Sequence, residues 1–277
     1  MSITRTAWTD DDGSGTTGTI INNAEKTTLY DQIDGRWSEA TITSTGTQNN
    51  LTYSEADVIR CNNASDLTLT GITAPASPAK PGKRLVVVSV GAGNVFLAHQ
   101  SGSSTAANRI INFATSANTP LAAGSGVAVL VYDDTTDRWR LVSHEQGAWI
   151  TATFADADYT GSGGADADWA VDSGDIVTAA YRLSGRTLGF MFGVGASTVA
   201  NTPAHLRRTV PGGFTIAKST RVLYDAQNNG GAFAAGLLKA NASATVLEFY
   251  STLNEATAWV NGTNNNSVYG QVFVEVT

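Results

Sequence analysis

The stretch KRLVVVSVGAGNVFLAHQ, residues 83–100, decides the fold class of this 277-residue chain. Two short runs rich in valine, leucine and phenylalanine stand on either side of the sequence GAGN at residues 91–94. β-Branched and aromatic side chains suit a pleated strand, and glycine with asparagine between two such runs is typical of a tight turn. We therefore predict two strands joined as a β-hairpin.

Similar patterns fill the rest of the chain. Short apolar runs recur from residue 41 to residue 143, with a second predicted hairpin turning at residues 133–137. After a segment rich in Gly, Ala and Asp, another strand series follows, with turns predicted at residues 184–186 and 241–243. The spacing of these strands predicts a mainly β protein with two antiparallel β-sandwich domains of the jelly-roll kind, residues 41–148 and 149–277.

The N-terminal segment, residues 1–40, differs from the rest. Residues 1–19 are rich in Gly, Thr and Asp and predict an extended arm. Asn22 and Glu25 have the spacing of a capping box, which predicts that a helix begins there and ends near Gly35 or continues to about Ala40. One helical face carries the apolar side chains of Leu29, Tyr30, Ile33 and Trp37. A single short helix is marginal alone, so it should pack on its own β domain, on copies of itself or on another protein.

Bulk composition narrows the class of partner. The net charge is −7 and no group of Lys and Arg stands out, so we predict no nucleic-acid partner. The single cysteine, Cys61, excludes an intrachain disulfide and is expected to be a small buried residue. We predict no membrane insertion, because no apolar run approaches ~20 residues. The start of the chain lacks the features of a secretory signal, which predicts folding in the cytoplasm.

Motifs for catalysis or metal binding are weak. The aspartates at residues 10–12 and 156–175 do not have the spacing of a calcium loop, and solvated turns explain them better. His99, His144 and His205 lie far apart, without a zinc-ligand motif. We therefore predict no catalytic site, no metal and no cofactor. Two carboxylates that meet only on folding would leave no such pattern, which keeps an enzyme open as an alternative.

The C-terminal TAWVNGTNNNSVYG, residues 257–270, suggests a binding surface. A tryptophan beside a polar loop can stack on a sugar ring while amides bind its hydroxyl groups. The alternative is a core tryptophan that precedes an ordinary turn. The predicted receptor- or glycan-binding residues are Trp259, Asn261, Asn264, Asn265, Asn266 and Tyr269.

Three segments carry a resemblance to a known family. TRTAWTDDDGSGTTGTIINNAEKTTLYDQID, residues 4–34, resembles the N-terminal segment of tailed-bacteriophage structural proteins such as tail fibres. Residues 84–143 resemble the β modules of phage fibres and spikes, and PGGF with GTNNNSVYGQVFVEV resembles modules at their distal ends. This resemblance implies attachment to the particle by the N-terminus, host recognition by the distal domain, and a homotrimer.

The leading hypothesis is therefore a non-enzymatic, trimeric tail fibre or spike located in the virion and assembled in the host cytoplasm. Its other partners would be tail, baseplate, portal or capsid proteins and a host surface glycan or protein. The residues expected to anchor it are Trp8, Ile20, Ile21, Leu29, Tyr30, Ile33 and Trp37. Since the chain lacks a repeated shaft, a capsid-attached head fibre or decoration protein is an alternative. A polysaccharide-depolymerising spike is the second alternative.

Overall fold

The computed structural model describes residues 37–76 and 81–277. The predicted arm, the capped helix and all the anchoring residues except Trp37 lie outside this part of the chain. Trp37 is exposed and not helical, and a strand begins at Glu39. The continuation of the helix to Ala40 is therefore wrong. The first strand crosses the proposed boundary at residue 40, and the domain limits stay predictions.

Strands dominate the described residues, and the helical elements are single 3₁₀ turns. The strands are β1 Glu39–Ile42, β2 Gly46–Gln48, β3 Val58–Cys61, β4 Leu67–Leu69, β5 Arg84–Ser89, β6 Val95–Leu97, β7 Ile110–Asn112, β8 Thr119–Leu121, β9 Val127–Asp133, β10 Arg138–Glu145, β11 Ile150–Thr151, β12 Tyr159–Gly161, β13 Trp169–Ala170, β14 Ile176–Ser184, β15 Thr187–Val199, β16 Leu206–Thr209, β17 Thr220–Gln227, β18 Ala234–Ala240, β19 Val246–Tyr250 and β20 Gly262–Glu275. The 3₁₀ turns are Ala106–Asn108, Asp156–Asp158, Asp166–Asp168, Ser173–Asp175 and Pro211–Gly213. The predicted mainly β class is confirmed.

The first part of the fold, which we call the proximal body, contains two sheets. Their orders are β1-β3-β5-β9-β10-β7 and β2-β4-β6-β8. The chain passes from one sheet to the other in each of the pairs β1–β2, β3–β4 and β5–β6, and equivalent strands of successive pairs are parallel. These pairs are thus the turns of a short solenoid, each covering the apolar interior of the next. The prediction of an antiparallel sandwich missed these parallel pairs.

The stretch at residues 83–100 supplies the last of these solenoid turns. It does form two strands, but β5 and β6 lie in different sheets, so the predicted hairpin is wrong. A Cβ atom at Gly93 would lie 2.1 Å from the carbonyl carbon of Ser65, and one at Gly91 would lie 2.3 Å from the Asn63 oxygen. These glycines therefore allow the backbone of one turn to approach the previous turn closely.

The core of the proximal body is centred on Trp139. Its indole donates a hydrogen bond of 2.9 Å to the Ile72 carbonyl, and its ring meets those of Tyr53 and Tyr132 edge-on. Cys61 is completely buried here, as predicted. Strands β9 and β10 form the antiparallel hairpin predicted at residues 133–137, with Asp137 at a φ of 50° in its turn.

The remaining strands form the distal body, a single antiparallel sheet of ten strands. Its main order is β11-β14-β15-β20-β17-β18-β19-β16-β12, and β13 pairs with β15. The sheet folds over on itself, since Phe192 on β15 meets Phe249 on β19 with 5.0 Å between ring centroids. The turns predicted at residues 184–186 and 241–243 join β14 to β15 and β18 to β19. This body comes closest to the predicted sandwich.

Gln146 connects the two bodies. Its side chain is fully buried, donates to the Tyr181 carbonyl at 3.0 Å and accepts from the Leu183 amide at 2.6 Å. Its backbone carbonyl accepts from the Ala122 amide of the proximal body. Because buried amides are costly to leave unbonded, these contacts hold β14 against the end of β10.

Candidate functional site: an apolar sheet face

Strand β20 exposes an apolar side to solvent. Its alternate residues Val268, Val272 and Val274 are buried in the distal core. Between them, Tyr269 and Phe273 point outwards, and Phe273 remains 54% exposed. A single exposed apolar side chain is common on a protein surface, so Phe273 matters only together with its apolar neighbours.

Other outward-facing side chains extend this surface on both sides of β20. Leu223 on β17 is 61% exposed, and Val177 on β14 is 66% exposed. The Phe233 ring lies 5.9 Å from that of Tyr269. We call this surface the apolar face and define it as Trp149, Val177, Met191, Leu223, Phe233, Tyr269 and Phe273.

Glycines on β15 shape the apolar face. In the antiparallel register, Gly189 is opposite Phe273 and Gly193 is opposite Tyr269. A Cβ atom at Gly189 would lie 2.8 Å from the Phe273 ring and 3.0 Å from the Trp149 ring. Without side chains at these positions, the aromatic rings can lie across the strand, which extends the apolar surface over the backbone.

Two grooves cross the apolar face, with Phe273 between them. One has a volume of about 610 Å³ and is lined by Leu223, Asp225, Tyr269 and Gln271 together with Phe273. The other, of about 470 Å³, is lined by residues that include Trp149, Arg182 and Gly189. The Arg182 guanidinium pairs with Glu145. The grooves therefore carry two charged side chains, Asp225 and Arg182, between the apolar residues.

Ion pairs lie at the margins of this surface. At one end of β20, Glu275 pairs with Lys218 at 2.8 Å and with Arg186 at 3.6 Å. The hydrogen bond from Lys218 lowers the pKa of the Glu275 carboxyl below its ordinary value. Beyond Leu223 on β17, Arg221 pairs with Glu255. An apolar centre with a charged margin is the usual anatomy of a protein–protein interface.

The structure corrects the role predicted for Trp259. Its side chain is completely buried, and its indole donates a hydrogen bond of 2.9 Å to the Phe249 carbonyl. A ring in this position cannot stack on a ligand, so the alternative of a core tryptophan is the right one. Trp139 and Trp169 are also buried, whereas Trp149 borders the apolar face.

The asparagine-rich segment that was predicted as a loop is instead part of a strand. Residues 262–275 form one long strand, and register shifts after Val194 and Ser197 of the paired β15 accommodate its polar beginning. Asn266 is buried and accepts from the Asn229 amide at 2.8 Å. Asn265 donates to the Asn229 side chain at 2.8 Å. These amides bond to one another, which gives them a structural role.

Asn261 and Asn264 lie at the surface of the same end. The Asn261 side chain accepts from the Thr202 amide at 2.8 Å, and Asn264 bonds to Thr198. Tyr269 lies five residues further along β20 than Asn264, on the apolar face. The predicted receptor residues therefore lie in three different environments: the surface at the polar beginning of β20, the apolar face and the core. Receptor binding by the two exposed amides stays a prediction.

Several aspartates of residues 156–175 have local structural partners. Asp158 pairs with Arg208 at 3.0 Å, Asp168 accepts from the Asn201 amide group, and Asp175 accepts from the Asp172 backbone. Within residues 37–76 and 81–277, no three His, Cys, Asp or Glu side chains converge as metal ligands. Over the same ranges, no helix has the length and apolar character needed to cross a membrane.

The fold and this surface define a mainly β protein with an exposed apolar sheet face. No protein-family model and no curated protein sequence matches the chain. Among solved structures, it is similar to the Dettilon tailspike protein, with a TM-score of 0.35 and 11% sequence identity. That match covers 86% of this chain and 46% of the tailspike chain, so this chain spans less than half the length of that structure.

Proposed function

We propose that the chain is a non-enzymatic structural protein of a phage virion that assembles as a homotrimer and contributes to adsorption to the host. The apolar face carries the assembly part of this proposal. Clustered exposed apolar side chains commonly mark sites of protein–protein interaction. The virion part rests on the resemblance of residues 4–34, 84–143 and the distal segments to phage appendage proteins.

A second copy of the chain is the occupant that best fits the apolar face. The surface mixes aliphatic Leu223 and Val177 with aromatic Phe233 and Phe273 and with Met191. A sugar-binding platform needs ring faces and hydroxyl partners, whereas exposed aliphatic groups and methionine are typical of protein contacts. The threefold stoichiometry comes from the resemblance.

Replacing Phe273 with Asp should separate the copies. Three negative charges would be placed in the apolar contact, and their desolvation should raise the dissociation constant of the trimer by at least about 30-fold, equivalent to roughly 2 kcal/mol. Sedimentation velocity at micromolar concentration measures the change from trimer to monomer. Val142→Asp is the matched control, because Val142 is 55% exposed on the proximal body, outside the apolar face. A wild-type chain that sediments as a monomer would refute the trimer.

Removing residues 1–36 tests attachment to the particle. This truncation leaves β1 intact, since the strand begins at Glu39. We expect folded, soluble β bodies that no longer enter particles, because the proposed anchor is gone. Quantitative immunoblotting of purified particles measures incorporation, and normal incorporation of the truncated chain would count against the anchoring role. Electron microscopy of labelled wild-type particles distinguishes a tail position from the head-fibre alternative.

A further inference from the structure

A separate cavity lies between the two bodies, away from the apolar face. It has a volume of about 290 Å³, close to the lower end for small-molecule sites. The proximal body contributes Asp66, Asn94 and Phe96 to its wall. The distal body contributes polar groups that include Tyr181, Asp158 and Arg208. We call it the junction cleft.

Tyr181 brings an unused hydroxyl group to the junction cleft. The residue is only 5% exposed, and its ring packs beside Gly212, where a Cβ atom would lie 3.3 Å from it. Burial, with a smaller contribution from the Asp66 charge, raises the pKa of the Tyr181 phenol to about 12. The hydroxyl is thus protonated at neutral pH. Among the described residues, it has no hydrogen-bond partner. The hydroxyl atom is not itself among the fully buried unpartnered atoms, so it opens into the cleft and can bond to water or to a ligand there.

The two carboxylates of the cleft are held in place. The Oδ1 atom of Asp66 accepts from both the backbone and the side-chain nitrogen of Asn94, at 2.9 and 3.1 Å. Asp158 pairs with Arg208, which is 3% exposed and stacks over the Tyr159 ring at 4.6 Å. Each carboxylate can accept further hydrogen bonds, so the cleft offers fixed acceptors on both walls.

The charges in the cleft indicate the class of ligand. An anion would be repelled by Asp66 and Asp158, since Arg208, the one guanidinium among the described lining residues, already pairs with Asp158 through Nη1 and leaves only its buried Nε atom unbonded. A bare cation would lack a third acidic ligand among the described residues. A neutral molecule with several hydroxyl groups can donate to the carboxylates, accept from Tyr181 and place an apolar face against Phe96.

We propose that the junction cleft binds one unit of a neutral sugar. The proposal deepens the adsorption part of the proposed function and rests on it for biological meaning. It assigns recognition to residues other than those predicted around Trp259. Neither trimer formation nor incorporation into particles depends on the cleft, so the sedimentation and immunoblot experiments can succeed or fail independently of it.

A panel of methyl pyranosides of glucose, galactose, mannose and rhamnose tests the proposal by titration calorimetry and saturation-transfer NMR on the full chain. We expect at least one of them to bind. Tyr181→Phe removes the hydroxyl but keeps the ring, and it should weaken that binding about fivefold to tenfold. Asp66→Asn should weaken it to a similar degree.

Tyr53→Phe is the matched control, because it removes a phenolic hydroxyl from the proximal core at a residue that does not line the cleft. It should leave sugar binding unchanged. The proposal is overturned if none of the four pyranosides binds. It is also overturned if binding is the same in Tyr181→Phe and Asp66→Asn, or if calcium chloride or sodium phosphate competes for the same resonances. Circular dichroism on each variant confirms that it is folded.

Discussion

Replacing Phe249 with Ala should lower the free energy of unfolding of the distal body by about 3–5 kcal/mol. The Phe249 ring is buried where the two halves of the folded sheet meet. Its centroid lies 5.0 Å from that of Phe192, 5.4 Å from that of Tyr224 and 6.0 Å from that of Trp169. The substitution removes the ring that contacts all three of these aromatic side chains. It leaves a cavity that the rigid neighbouring rings cannot fill.

Urea unfolding followed by tryptophan fluorescence measures this loss. Phe113→Ala provides the matched control, because Phe113 is 59% exposed and its removal should cost less than about 1 kcal/mol. If both variants lose the same stability, the contact between β15 and β19 is not what holds the distal sheet closed.

Replacing Asp158 with Ala should destabilise the protein by about 3 kcal/mol, the lower end for breaking a buried ion pair. The change leaves the guanidinium of Arg208, which is 3% exposed, without its carboxylate partner. Removing one member of a buried ion pair costs more than the pair itself contributes, because the remaining charge stays desolvated. Arg208 keeps one hydrogen bond, from Nη1 to the Thr209 carbonyl at 2.8 Å, which does not compensate its charge.

Two further variants separate charge from packing in this experiment. Asp156→Ala changes an exposed aspartate in the same 3₁₀ turn and should have little effect. The double variant Asp158→Ala, Arg208→Met should be more stable than Asp158→Ala alone, since it removes the unpaired charge. Chemical denaturation measures the free energy of unfolding of the two single variants and the double variant. A double variant as unstable as the single one would show that the charge is not the cause.

The hairpins at residues 133–137, 184–186 and 241–243 could be predicted because turn chemistry is local. Gly185 adopts a φ of 56°, which glycine favours, whereas Ser243 adopts a φ of 66°, which serine rarely does. The sequence at residues 91–94 has the same local character. There, however, the glycines lie against the previous turn of the solenoid, at contacts with Asn63 and Ser65 that are distant in sequence.

The apolar face could not be predicted for a related reason. In SVYGQVFVEV, residues 267–276, apolar side chains occur on both sides of the strand, so alternation does not tell which side is buried. Trp259 and Phe273 are both large apolar residues in the same region of sequence. Trp259 is fully buried and Phe273 is 54% exposed. This difference in exposure arises from the way the sheet folds over on itself.

Residue type and local spacing were sufficient for the mainly β class, the buried cysteine and most of the turns, because these depend on the conformational preferences of a few neighbouring residues. The parallel solenoid, the exposed apolar face and the junction cleft depend on contacts between distant segments. Tyr181 and Asp66 are separated by more than a hundred residues and become neighbours only when β14 packs against the proximal body through Gln146. Such contacts between distant residues depend on the packing of the whole chain, and only the folded structure reveals them.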